Sequence, residues 1–217
     1  EVPLRDAYKE FFSRHTKEEI LARKSYTARA PLMMEQMSAG ARFRNMTLSC
    51  HFNEVDAQRD LQLSATVFRL PDGAAYVAFR GTDGTLGGWK EDFNFSFQSE
   101  TTGQNMAVHY LNWVGRQLPG KIIVGGHSKG GNLAVYAASF CDPEVQARIE
   151  TVYTNDGPGF RQEILERPGY MSILPRVVSI IPDTSVIGLL LSSKSEHRVI
   201  KSTAEGITQH DAFTWSV

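Results

Sequence analysis

Residues Lys121 to Ala138 constrain the fold of this chain more than any other stretch. Ile122-Ile-Val124 is a short β-branched run of the kind that forms a buried strand. It passes directly into Gly125-Gly-His-Ser-Lys-Gly-Gly131 and then into Leu133-Ala-Val-Tyr-Ala-Ala138. A run that is apolar on nearly every side of a helical wheel belongs inside a core. A strand that becomes a buried helix within a few residues needs a very tight turn. Glycines two positions either side of Ser128 permit one because they lack a Cβ. Gly126-His-Ser-Lys-Gly130 therefore fits the G-x-S-x-G nucleophile elbow, in which a strained turn holds a serine hydroxyl out from the end of a sheet. The bland alternative is a glycine-rich turn cradling a phosphate at a helix N-terminus. It would call for a Walker order or a G-x-G-x-x-G order, and neither is present.

The rest of the chain reads as a frame for that turn. Leu4, Ala7, Tyr8, Phe11 and Phe12 recur at helical spacing, which predicts a helix over residues 3–14. Thr16-Lys-Glu-Glu19 is a capping box opening a second helix. That helix is expected to end or kink near Pro31, ahead of a turn rich in methionine (Met33, Met34, Met37), so that residues 1–40 form a helical N-terminal part. The period then becomes two. Met46, Leu48, Cys50 and Phe52 alternate with polar residues, as do Leu61, Leu63, Ala65 and Val67, and Pro71-Asp-Gly73 is a turn before a strand at Ala74–Phe79. Residues 60–80 thus read as an antiparallel hairpin. Thr101 with Gln104 caps a helix whose apolar face carries Ala107, Tyr110, Leu111, Val114 and Leu118. Thr151–Thr154 and Val177–Ile181 are two further strand-like runs, with helical potential between them around Gln162–Arg167. A hairpin followed by strands alternating with helices predicts an α/β fold: a mixed, mostly parallel central sheet flanked by helices, with an N-terminal antiparallel hairpin.

At 217 residues, this is one domain. A net charge of -1 gives no reason to expect nucleic acid or an anionic membrane surface as partner. No apolar run approaches the roughly 20 residues that span a bilayer. Two cysteines, Cys50 and Cys141, make no disulfide framework and point to a reducing, cytoplasmic compartment. Asn45-Met-Thr and Asn94-Phe-Ser are glycosylation sequons only in a secretory setting. The chain starts at Glu1 rather than methionine, so it reads as trimmed ahead of that residue.

A serine hydroxyl needs a base to take its proton, usually a histidine oriented by a carboxylate. On a fold of this type the order is serine, acid, histidine. Only His197 and His210 follow Ser128. His197 lies in the polar stretch Ser192-Ser-Lys-Ser-Glu-His197, which reads as surface. His210, in the turn-like Gly206-Ile-Thr-Gln-His210, is the expected base. Asp183 stands directly after the run Val177–Pro182 and is the expected acid, with Asp156, at the end of the preceding strand, as its rival. Asp142 serves as a helix cap, and Asp211 adjoins the base. His127 is expected to point to the opposite side of the strand end, in a structural role. The oxyanion formed on attack at an ester carbonyl needs two donors. The N–H of Lys129 is one, and Thr82, in the glycine-rich loop after Tyr76–Arg80, is the other. No cofactor and no metal is called for.

Taken together, Ala78-Phe-Arg-Gly-Thr82, Trp89-Lys-Glu-Asp92, Gly126-His-Ser-Lys-Gly-Gly131, Asp183 and the late His210 resemble the layout of the fungal-type, class three lipases. They are closer still to a family of bacterial lipase-like α/β-hydrolases with the signatures FRGTD…GWKEDF and GHSKGGNLA. The resemblance runs from about residue 40 onward. It implies an α/β-hydrolase fold, a triad of Ser128, Asp183 and His210, and an oxyanion donor at Thr82. Lys129 departs from the apolar or amide residue usual in class three lipases, and no amphipathic lid is evident between Thr82 and Trp89. The expected activity is hydrolysis of carboxylic esters, small acyl esters or lipids, through an acyl-enzyme. Val186-Ile-Gly-Leu-Leu-Leu191 is a candidate acyl wall, and reads equally as a buried helix or an association patch. Acyl transfer, thioester or amide cleavage by the same triad, and an inactive hydrolase-fold binding module are the alternatives.

Overall fold

The structure is a computed structural model that describes residues 1–23, 29–56, 58–59, 61–81 and 100–216. Among the described residues, nine strands form one sheet in strict chain order. β1 (Val2–Pro3), β2 (Thr47–Asp56), β3 (Leu61–Arg69) and β4 (Ala75–Phe79) pair antiparallel in succession. From β4 the sheet turns parallel through β5 (Ile122–His127), β6 (Ile149–Asn155), β7 (Val177–Pro182) and β8 (His197–Ser202). A two-residue β9 (Trp215–Ser216) closes the far edge antiparallel to β8. The expected α/β architecture, with its antiparallel hairpin first, is what the chain adopts.

The switch from antiparallel to parallel follows from the connections. Pro71-Asp72-Gly73 returns β3 directly into β4, and Gly73 takes the positive φ of 87° that such a turn needs. A parallel neighbour requires a crossover, usually helical, and α4 (Thr102–Gln117) provides it between β4 and β5. Its N-terminus carries the predicted capping box, with the Thr101 side chain accepting from the Gln104 N–H and the Gln104 side chain accepting from the Thr101 N–H. α5 (Lys129–Phe140) leads from β5 towards β6, and every residue from Lys129 to Ser139 is buried. Short helices at Pro143–Gln146, Gln162–Leu165 and Pro168–Ile173 complete that side of the molecule. Leu63, Val67, Val77, Leu111, Val124, Leu133 and Val152 are all fully buried in one continuous core.

The N-terminal part departs from expectation in one place. α1 (Leu4–Arg14) and the capping box at Thr16 are present, yet α2 stops at Leu21 (Lys17–Leu21). Pro31 sits in the first turn of a separate helix, α3 (Ala30–Ala39), instead of ending the second. Proline's missing N–H costs nothing in a first turn, where no intrahelical acceptor exists, and its fixed φ already suits the helix. The methionines expected in a turn, Met33, Met34 and Met37, are therefore helical. The sequence marks neither β8 nor β9 as a strand. Both are short and lie at the far side of the sheet, with no buried face for a periodicity reading to register.

Candidate active site

The end of β5 is packed to the limit of backbone contact. A Cβ added at Gly126 would lie 2.3 Å from the carbonyl of Gly130, and one at Gly130 would lie 2.3 Å from the Phe79 carbonyl oxygen. Atoms are not found that close, so glycine is required at both positions. The turn carries strain at its tip. Ser128 has φ 58° and ψ -132°, a region L-residues rarely adopt. Its N–H donates to the Asn155 carbonyl at 2.9 Å, which ties the turn to β6. Lys129 opens α5, so its N–H is one of the first-turn donors that have no acceptor within the helix.

His210 is brought in from the C-terminal end of the chain. It ends a short 3₁₀ helix, Gly206–His210, and its Nδ1 lies 2.7 Å from Oδ2 of Asp156. A carboxylate can only accept, so Nδ1 carries the proton in this bond. Asp156 is 1% exposed. Its other oxygen accepts from Ser185 Oγ and from the Gly188 N–H at 3.0 Å. Burial works to raise the Asp156 pKa. The hydrogen bonds from His210 and Ser185 outweigh burial and hold the carboxyl below its ordinary value of 3.8. The group is thus ionised at neutral pH, and its charge is directed at His210.

The carboxylate paired with His210 is not the one expected. Asp183 was expected to orient His210, but the structure pairs that histidine with Asp156 and leaves Asp183 exposed in the turn after β7. The reason lies in strand order. β6 adjoins β5, with His127 opposite Asn155, so the residue after β6 emerges one strand from the elbow. β7 lies one strand further out. Asp156 also takes a positive φ of 49°, a left-handed conformation in which aspartate is enriched among non-glycine residues.

The other candidates are placed as follows. His197 begins β8 and shares a hydrogen bond with Ser179 Oγ through Nδ1 at 2.8 Å, so it is a partner of β7 and not the surface residue expected. His127 does not point away from the site. Its ring lies against that of His210, tilted by 37° with centroids 4.5 Å apart, and its Nε2 lies 2.7 Å from the His210 carbonyl oxygen. Burial, and next the neighbouring His210, push the His127 pKa down to about 4. Nothing in the local spelling Gly-His-Ser indicates that contact, because its partner lies 83 residues away. Thr82 is outside the described residues. Gly81, before it, lies against the elbow, for a Cβ there would be 3.3 Å from Ser128 Cβ. Lys129 is 1% exposed, and its Nζ donates to the Gln62 carbonyl on β3 at 2.9 Å. Burial pushes the Cys141 thiol up to about 12. No helix among the described residues is long and apolar enough to cross a membrane.

A nearly sequential mixed sheet with a strained serine between a central parallel strand and a buried helix is the α/β-hydrolase fold in its lipase-like form. Solved lipases share it. Against a deletion mutant of Rhizomucor miehei lipase in its propeptide complex the TM-score is 0.52 at 17% identity, covering 72% of this chain and 56% of that one. The native form of that complex gives 0.51 at 14%, covering 88% and 68%. A fungal lipase–inhibitor complex gives 0.50 at 15%, covering 65% and 59%. The chain thus spans little more than half the length of two of these lipases. A comparison with curated protein sequences found no match. Within this fold the chain belongs to the Mbeg1-like family, whose profile matches residues 37–217.

Proposed function

We propose that this protein is a serine hydrolase of carboxylic esters in which Ser128 is the nucleophile, His210 the base and Asp156 the orienting acid. The observation that carries the proposal is the ionised, buried Asp156 bonded to His210 Nδ1 beside the strand that presents a strained serine. In the first step His210 Nε2 takes the Ser128 proton while Oγ attacks the ester carbonyl, and Asp156 stabilises the resulting imidazolium. The N–H of Lys129 and Thr82 donate to the oxyanion. Collapse of the tetrahedral intermediate breaks the C–O bond, and His210 returns the proton to the departing alcohol. Water then repeats the sequence on the acyl-enzyme, releasing the acid and regenerating Ser128.

An apolar rim supports an acyl substrate. Val186, Leu189, Leu190 and Leu191 are all exposed, on the loop whose Ser185 and Gly188 bond Asp156. Ile207 and Phe213, on the segment that carries His210, are exposed as well. The test is labelling by a fluorophosphonate, which requires an activated serine but no knowledge of the natural ester. Wild type is expected to label and Ser128→Ala not to. An unlabelled wild type would refute the hydrolase reading in favour of a binding module, and labelling that survives Ser128→Ala would refute the nucleophile. A p-nitrophenyl ester series of increasing acyl length then reads how far the rim is used.

A further inference from the structure

The segment carrying the base is weakly fixed by secondary structure. Residues 206–214 form two short 3₁₀ turns, Gly206–His210 and Ala212–Thr214, followed only by the two-residue β9. Side chains hold it instead. Trp215 Nε1 donates to the Gln209 carbonyl at 2.7 Å. The Gln209 side chain is buried, accepts from the Thr184 N–H at 2.9 Å and donates to the Ala204 carbonyl at 3.0 Å. Asp156 holds the imidazole of His210. His127 holds the backbone of that same residue through its carbonyl, and its ring lies against both His210 and Trp215, with centroids 4.5 and 5.9 Å away.

We infer that His127 is a positioning residue for the base, its Nε2–H fastening the His210 backbone to the strand that ends in the nucleophile. A carbonyl oxygen has no proton to offer, so the hydrogen between His127 and His210 sits on His127 Nε2. His127 directly precedes Ser128 and ends β5. One strand end therefore carries both the serine and the donor that locates its base, and a shift of the elbow moves the two together. The neutral ring also suits what His210 must do. A second cation with its ring centroid 4.5 Å away would oppose its taking a proton from Ser128. Reaction rates respond steeply to such placement, with about 1 Å of error costing up to roughly 10²-fold.

This inference rests on the assignment of His210 as base, and the test separates the two. His127→Phe keeps a ring against His210 but removes the donor, whereas His127→Gln keeps an N–H at nearly the same reach. With a p-nitrophenyl ester, the phenylalanine variant is expected to lose at least about tenfold in kcat with KM within about twofold. The glutamine variant is expected to recover most of that loss. Equal activity of His127→Phe and wild type, or equal impairment of both variants, would overturn the inference. So would a fall in kcat of His127→Phe matched by a rise in KM and a collapse of its melting transition. The second readout does not depend on turnover: the downfield N–H resonance of His210 Nδ1 bonded to Asp156, seen in ¹⁵N-labelled protein. It is expected to persist in wild type and His127→Gln and to broaden or vanish in His127→Phe. If it is unchanged in all three, His127 does not position His210, whatever the protein hydrolyses.

Discussion

Ser128 offers a measurement in which removing a side chain should stabilise the protein. Its φ of 58° and ψ of -132° lie where a Cβ is poorly tolerated, a strain of order 1–3 kcal/mol. Ser128→Ala removes the hydroxyl but keeps the Cβ and its strain. Ser128→Gly removes both, at an unfolded-state entropy cost of about 0.4–1 kcal/mol. The difference leaves glycine more stable than alanine here by about 1 kcal/mol, the reverse of the usual order within regular structure. For a domain of this length that is a rise in Tm of about 2–4 °C. Differential scanning calorimetry of the two variants side by side tests it, since both lack the nucleophile and any bound product. A Ser128→Gly protein that melts below Ser128→Ala would refute the reasoning, because the backbone at the elbow would then be relaxed with a Cβ in place.

Two further outcomes follow from the acid and from the histidine pair. Asp156→Asn should lower kcat for ester hydrolysis by about 10³–10⁴-fold, since an amide can turn its N–H₂ toward His210 and favour the wrong tautomer. Asp183→Asn, altering an exposed side chain, should stay within about threefold, and equal losses would reinstate Asp183 as the acid. Stability should also decline as the pH falls below about 6.5. The unfolded chain takes a proton on His127 at its ordinary 6.5, while the folded chain resists until about 4, so each step of acidification favours unfolding. The full span is worth about 3 kcal/mol and is complete near pH 4. Below that range Asp156, whose folded pKa lies under 3.8, adds a further loss as it is protonated. Urea denaturation midpoints of wild type and His127→Gln between pH 7 and 4 should diverge from flat in wild type only.

Much of the fold could be read from local patterns because each was reinforced by chemistry at its ends. The Thr101–Gln104 capping box, the turn at Pro71–Gly73 and the glycines at 126 and 130 each specify a backbone conformation without reference to distant residues. Pro31 misled because proline terminates a helix from inside and begins one from its first turn, and the sequence around it supports either. The last two strands, β8 and β9, escaped because strands without a buried face show no alternation, and each is placed by the strand before it, β8 by β7 and β9 by β8.

The site divides along the same line. Ser128 is legible because the elbow is a matter of two residues either side. The pairing of Asp156 with His210 is a tertiary fact. Asp156 and Asp183 each follow a short apolar strand, and no spacing rule separates them. What separates them is that β6, not β7, lies against the elbow strand, and that Ser185 and Gly188 wrap the Asp156 carboxylate. In this chain the carboxylate that reaches His210 stands on the strand next to the elbow strand, in a left-handed conformation before a glycine, Asn155-Asp-Gly157. The same order puts the residue before the nucleophile, His127, between the acid's strand and the returning C-terminal segment. His127, expected from the sequence to face the opposite side of the strand end, thereby contacts His210 through both its ring and its proton.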